Sequence, residues 1–112
     1  MFLSTLSMKV PERKWEETIQ TFQSMQGPVE AQPGCLSSCF YQDLLDPKRL
    51  GMVQEWRSEA DLTRFLSSTE YRRTLELMEL SSTAPEVKFY EVRQLQGLDL
   101  VENVRLLKFR KE

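Results

Sequence analysis

Apolar and polar positions alternate from Phe2 to Val10, with Phe2, Leu6, Met8 and Val10 on one face, which predicts a strand of period two. Pro11 suits the first position of a helix and Glu12 its first turn. Trp15, Ile19, Phe22, Met25 and Val29 then recur at helical spacing through about Ala31 and form one apolar stripe. Gly27-Pro28 predicts a kink or break in that helix, and Pro33-Gly34 its end. Cys35 to Gln42 reads as a second strand, with Leu36 and Phe40 on one side and Cys35, Cys39 and Tyr41 on the other. Asp46-Pro47-Lys48 marks a loop, and Leu50 to Trp56 a third strand that completes a hairpin.

Ser58 with Asp61 predicts a capped short helix whose buried face is Leu62, Phe65 and Leu66. Ser67 with Glu70 predicts a second capping box, opening a longer helix that carries Tyr71, Leu75 and Met78 and ends near Ser81-Ser82. A final strand runs from Glu86 to Gln94. After Gly97 the run Leu98, Leu100, Val101, Val104, Leu106, Leu107 and Phe109 is apolar for a chain end.

The order β-α-β-β-α-α-β is the split βαβ, ferredoxin-like arrangement: an α+β domain with an antiparallel sheet and helices on one face. Several strands nevertheless carry bulky apolar residues on both faces, such as Phe40 beside Tyr41 and Phe89 beside Tyr90. A bare second face of that kind would be a large exposed apolar patch. Sheet-to-sheet packing of two copies about a two-fold axis removes it, so the expected assembly is a homodimer. The apolar tail is expected to reach across the partner's sheet edge.

A chain of 112 residues forms one domain. Its 40% hydrophobic and 29% charged residues are ordinary for a globular protein, and a net charge of −2 provides no concentrated basic surface for nucleic acid. The one basic cluster, Lys108, Arg110 and Lys111, reads as a solvated chain end. There is no apolar run of about 20 residues to span a membrane, and Met1 to Val10 is too short and too interrupted by Ser4, Thr5 and Ser7 for a signal peptide. The expected location is cytoplasmic.

Cys35 and Cys39 are the only cysteines. Four residues apart on a strand, they would stand roughly 13 Å apart on one side, beyond the about 7 Å that a disulfide tolerates between Cα atoms. They read as small apolar residues. Histidine is absent, which removes the usual general base near neutral pH, Ser-His and Cys-His nucleophiles, and imidazole ligands. The four glycines are scattered and form no phosphate loop.

The turn Pro33-Gly34-Cys35, the strand end Glu55-Trp56, the pattern Ser58-Glu59-Ala60, the step Leu66-Ser67-Ser68 and the strand Pro85-Glu86-Val87-Lys88-Phe89-Tyr90-Glu91-Val92 occur in one order. Together they resemble antibiotic-biosynthesis monooxygenase domains, over roughly residues 2 to 100, with 101 to 112 as an extension packing on the partner protomer. The resemblance implies a dimeric α/β barrel with a pocket inside each protomer, between sheet and helices. It also implies oxidation of electron-rich phenols, quinols or anthrones with O2, often without metal or flavin, so that no cofactor is expected. One branch of the family degrades haem, with an Asn in the first strand, a Trp on the second helix and an axial His on the third. Those positions correspond to Ser4, Phe65 and Leu75, so that route to haem is not expected here. Many relatives also place histidine near the second helix and the turn after it, where this chain has Phe65 and Glu70.

A cofactor-free oxygenase must assist deprotonation of its substrate, exclude water and hold the radical pair with O2. Trp56 is the best family-matched residue for orienting such a substrate, and Tyr71 and Tyr41 could donate to a phenolate. The packing reading makes Trp56 a core or interface indole with its N–H satisfied, and the tyrosines half-buried packing residues. Phe65, Met52, Met78 and Leu75 are candidates to line the pocket, although the same spacings place residues in a core. Trp15 lies on the core stripe. Arg64, Arg72 and Arg73 could hold an anion, but Glu70, Glu76 and Glu79 interleave with them as on a solvated helix face. Glu55 and Glu91 could act as bases if they face the pocket. Two functions follow. One is a cofactor-independent monooxygenase acting on an aromatic polyol, quinol or anthrone-like substrate. The other is a non-catalytic or stress-related module that binds a small aromatic or apolar molecule on the same fold.

Overall fold

The structure, a computed structural model, describes residues 1–110, with side chains described through Leu106. The basic cluster of Lys108, Arg110 and Lys111 therefore lies outside the described side chains, as do Leu107 and Phe109. The elements are β1 (Phe2–Lys9), α1 (Trp15–Glu30), β2 (Cys35–Gln42), β3 (Arg49–Trp56), α2 (Glu59–Leu66), α3 (Tyr71–Met78), β4 (Glu86–Glu91) and α4 (Leu98–Arg110). The four strands pair antiparallel in the order β2-β3-β1-β4, and α1, α2 and α3 lie on one face. This is the expected α+β, ferredoxin-like architecture, with α4 as a further element.

Strand alternation sets the core. Leu6, Met8 and Val10 from the first strand and its end, with Leu50, Met52 and Trp56 from β3, face the helices. They meet Phe22, Met25 and Val29 of α1, Leu62 and Phe65 of α2, and Leu77 of α3. All twelve are buried, and their apolar area removed from water is the main stabilising term.

Four local expectations are corrected. First, α1 runs unbroken through Gly27 and Pro28 to Glu30. Pro28 removes one helical hydrogen bond in the last turn, on the exposed side, while Met25 and Val29 hold the buried side of that turn at 1% and 2% exposure. Second, β2 shifts register between Cys35 and Ser37 and leaves Leu36 unpaired and exposed. Cys35 consequently stands opposite Trp56 on the core face, and Cys39 and Tyr41 stand on the outer face; the two free cysteines do not share a side.

Third, Ser67 does not cap α3. Its hydroxyl donates back to the Arg64 carbonyl at 3.0 Å, closing α2, and α3 has no side-chain cap bond. Fourth, α3 stops at Met78, after which the chain turns and ties Ser82 N–H to the Lys9 carbonyl at 2.8 Å; β4 ends at Glu91 rather than Gln94 because its partner β1 begins opposite it, at Phe2.

Candidate functional site

The N-terminus of α2 organises the site. The Ser58 hydroxyl oxygen accepts from Asp61 N–H at 3.1 Å, as the capping pattern predicts, and its O–H donates to the Asp61 carboxylate at 2.7 Å. The buried Asp61 carboxylate also meets Arg64 at 2.9 Å and Arg57 at 3.4 Å. The Ser58 hydrogen bond, followed by the two guanidinium groups, holds the Asp61 carboxyl below its ordinary pKa against the opposing effect of burial. Beside it, Gly34 adopts φ +80° in the turn before β2, and Arg57 N–H bonds the Gly34 carbonyl at 2.8 Å. The start of α2 is thus fastened to the turn between α1 and β2.

That attachment lays α2 over the end of β3. Trp56, the last residue of β3, is fully buried and stacks on Phe65 with ring centroids 4.8 Å apart and planes at 25°. Tyr71, the first residue of α3, meets the edge of Phe65 at 5.5 Å and 82°. Tyr71 is half-buried, and burial pushes its phenol above its ordinary pKa, so it remains a donor at neutral pH.

A polar rung runs across the sheet beneath the helices. Ser38, Gln54 and Ser4 are register partners on β2, β3 and β1, and all three are buried. Gln54 Nε2 lies 3.3 Å from the Met52 sulfur, while Ser38 Oγ has no partner. Trp56 Nε1 on the next rung and Thr74 Oγ1 on α3 are likewise buried without a hydrogen-bond partner. Each such group costs about 1–3 kcal/mol if left unpaired. Aromatic rings from β3, α2 and α3 and unspent hydrogen-bonding groups on β2, β3 and α3 are therefore all buried on the helix-covered side of the sheet.

A cleft of about 320 Å3 opens between α2 and the β1–β4 edge, walled by Phe2, Leu62, Leu66 and Phe89 with Glu59 and Glu91 at its margin. Phe2 is the register partner of Trp56, so the cleft adjoins the aromatic layer. A second cavity, of about 450 Å3, lies between α1 and β2.

Of the candidate residues that the sequence suggests, Trp56, Phe65 and Tyr71 come together, with Met52 buried on the same sheet face and Met78 on the inner side of α3. Tyr41 and Leu75 do not join them. Tyr41 is 51% exposed on the outer sheet face, lying across Gly51, and Leu75 is 50% exposed on α3. Glu55 is on the outer face, opposite Leu3, whereas Glu91 reaches the cleft. Gln54, Ser38 and Thr74 are site residues that the sequence does not single out. Strand alternation is the available signal for Gln54, which shares its parity with Leu50, Met52 and Trp56. Among the described residues, no three His, Cys, Asp or Glu side chains converge as a metal site.

Residues 1–77 match the family model for antibiotic biosynthesis monooxygenase. The chain belongs to that family. Solved structures agree on the fold. A conserved protein from Methanosarcina mazei Go1 superposes with a TM-score of 0.76 at 22% identity, covering 82% of this chain and 92% of that one. A Deinococcus radiodurans protein, provisionally named an antibiotic biosynthesis monooxygenase, superposes with a TM-score of 0.78 at 16% identity, covering 87% and 97%. In sequence, the uncharacterized protein sll1783 of Synechocystis sp. is 28% identical over 93 residues, which make up 82% of this chain and 63% of that protein. The chain thus spans less than two-thirds of that relative's length. In this antibiotic biosynthesis monooxygenase domain, the matched segment takes in both the Trp56–Phe65–Tyr71 cluster and the polar rung. No helix among the described residues is long and apolar enough to cross a membrane.

Proposed function

We propose that this protein is a homodimeric monooxygenase that oxidises an electron-rich aromatic polyol, quinol or anthrone with O2 and needs no metal or flavin. The observation that carries the reading is the buried, unpartnered indole N–H of Trp56 within the Trp56–Phe65–Tyr71 cluster. A planar substrate in the α2 cleft meets the aromatic and aliphatic walls of Phe2, Leu62, Leu66 and Phe89, and Trp56 lies one strand behind Phe2. Glu91 or Glu59, both at the cleft margin, would take the phenolic proton. Tyr71, kept protonated by burial, donates to the resulting phenolate, and Trp56 N–H to a second oxygen. Deprotonation raises the electron density of the ring, which passes one electron to O2; the resulting radical and superoxide combine as a ring-carbon hydroperoxide, which loses water to leave one oxygen atom as a carbonyl.

The dimer is supported by the outer sheet face, where Leu3, Val53, Cys39, Tyr41 and Tyr90 lie among polar neighbours with no helix over them. A cytoplasmic location fits the chain's composition and its two free thiols.

One observation favours the non-catalytic binding module instead. The single buried carboxylate among the described residues, Asp61, is committed to Ser58, Arg57 and Arg64. Oxygen uptake with hydroquinones and anthrones separates the readings. The enzyme consumes O2 in the presence of EDTA and loses at least tenfold in rate in Trp56→Phe. The binding module saturates with an aromatic ligand and turns nothing over.

A further inference from the structure

On α4, Leu100, Val101 and Val104 follow the spacing i, i+1, i+4, which places them on one arc of the helix, and all three are exposed, at 38%, 52% and 57%. Among the described residues, the helix leaves the domain without substantial packing on its own sheet or on α1–α3. The radius of gyration is 17.5 Å, where a compact chain of this length has roughly 13 Å, and the longest dimension is 57 Å. An isolated helix of 13 residues is marginal in water, so α4 needs a surface to lie on.

The cavity of about 450 Å3 between α1 and β2 offers one. Ile19, Phe22, Phe40 and Leu50 form its floor, and no charged side chain lines it. A small ligand is normally fixed by a few convergent polar groups. Of the polar side chains lining it, the Gln26 amide is spent on the Ser38 carbonyl at 2.8 Å and the Gln42 amide on the Pro47 carbonyl at 2.8 Å, which leaves the Gln23 amide and the Tyr41 hydroxyl at its rim. An aliphatic stripe with no polar demands fits this surface better than a polar ligand does.

We infer that α4 of each protomer docks along the α1–β2 groove of a second copy of this chain, in a reciprocal two-fold exchange. This exchange presupposes the homodimer proposed above. The sheet order makes it reachable. When two β2-β3-β1-β4 sheets pack outer face to outer face about a two-fold axis running along the strands, β4 of one overlies β2 of the other, about 10 Å away, and the α1–β2 groove opens around that β2 edge on the helix side. The linker leaves β4 level with the Cys35 end of β2; its six residues span up to roughly 20 Å, and α4, itself about 20 Å long, covers the distance along the strand to Phe40 and Gln42. Within one protomer, β4 and β2 are opposite edges of the sheet, and α4 would have to cross the whole helix layer to reach its own groove.

The test uses the full chain with Cys35→Ser and Cys39→Ser as background, and two single variants, Gln23→Cys on the groove and Val104→Cys on α4. Mixed and treated with a short bismaleimide, the two variants are expected to give a product at twice the 13.2 kDa chain mass, whereas the Val104→Cys variant alone gives none. A Val101→Asp/Val104→Asp variant of the native-cysteine chain is expected to weaken dimerisation at least tenfold by light scattering on dilution. A wild-type monomer at micromolar concentration would remove the dimer and the exchange together. A wild-type dimer that gives no mixed product, or a Gln23→Cys/Val104→Cys chain that cross-links only within itself, would overturn the exchange and leave the dimer standing. The exchange is overturned equally if the Asp variant dimerises like wild type, or if native mass spectrometry finds a small molecule held by the wild-type chain but not by a Phe22→Ala variant.

Discussion

The carboxylate of Asp61 fills the space that a Cβ on Gly34 would need. Gly34 therefore serves two purposes: it supplies the positive φ of the turn, and it leaves room for the carboxylate that starts α2. This contact joins two motifs that are far apart in sequence, Pro33-Gly34-Cys35 and Ser58-Glu59-Ala60, and through α2 it sets Phe65 on Trp56. Gly34→Ala is expected to lower stability by about 2 kcal/mol or more, from backbone strain plus the clash. Urea unfolding measures it, and an unchanged midpoint would mean that the turn does not fasten α2.

Acid stability follows from the same carboxylate. Its pKa lies below the ordinary 3.8 in the folded protein, chiefly through the Ser58 hydrogen bond and then through Arg57 and Arg64. A group whose folded pKa is depressed contributes stability above its unfolded pKa of about 3.9 and loses it as the pH falls through the folded value. The wild-type protein is expected to lose stability below about pH 4, and Asp61→Asn to show a shallower loss over that range. Parallel slopes for the two proteins would assign the acid limb to other carboxylates, such as Asp46 beside Lys9.

Trp56→Phe separates packing from chemistry. The variant keeps a ring against Phe65 and deletes an N–H that has no partner, so its stability cost is expected to stay below about 2 kcal/mol. Oxygen uptake is expected to fall at least tenfold. Tyr71→Phe is expected to preserve the edge contact, lower the rate, and remove a tyrosinate transition lying above the ordinary 10.0 in an absorbance titration. A Trp56→Phe protein with full activity would remove the indole from the mechanism.

The two thiols report on the two faces of the sheet. Burial first, then the neighbouring Glu30, raises the Cys35 pKa, so alkylation of Cys35 is expected to be slow at any protein concentration. Cys39 is exposed on the sheet face assigned to the dimer. Its alkylation is expected to be slow in concentrated protein and to rise at least tenfold on dilution to monomer. Mass spectrometry of the modified chains reads both rates. A concentration-independent rate at Cys39 would leave that face uncovered.

The fold is legible in the sequence because its signals are periodic and local. Alternation places Leu6, Met8, Leu50, Met52 and Trp56, helical spacing places Phe22, Met25 and Val29, and the Ser58 cap places α2. Legibility fails where one event overrides the pattern. The register shift after Cys35 turns that residue inward and leaves Leu36 outside, and buried Met25 and Val29 carry α1 past Pro28. At the site, the aromatic trio is visible as residue types at matched positions. Tyr41 falls outside it because the helices cover only one face of the sheet, and Tyr41 points from the other. Gln54, Ser38 and Thr74 escape because their interest lies in being buried, Ser38 and Thr74 without a partner, and burial comes from tertiary packing. The role of α4 is equally hidden, since an apolar run at a chain end reads the same whether it covers its own core or another copy.

The most direct test of the central claim is O2 consumption by the purified protein with a panel of hydroquinones and anthrones, with and without EDTA. The expected result is protein-dependent uptake that the chelator leaves unchanged and that Trp56→Phe lowers at least tenfold. Uptake no faster than the uncatalysed rate across the panel, with a saturable aromatic ligand bound, would contradict it and identify the protein as a binding module.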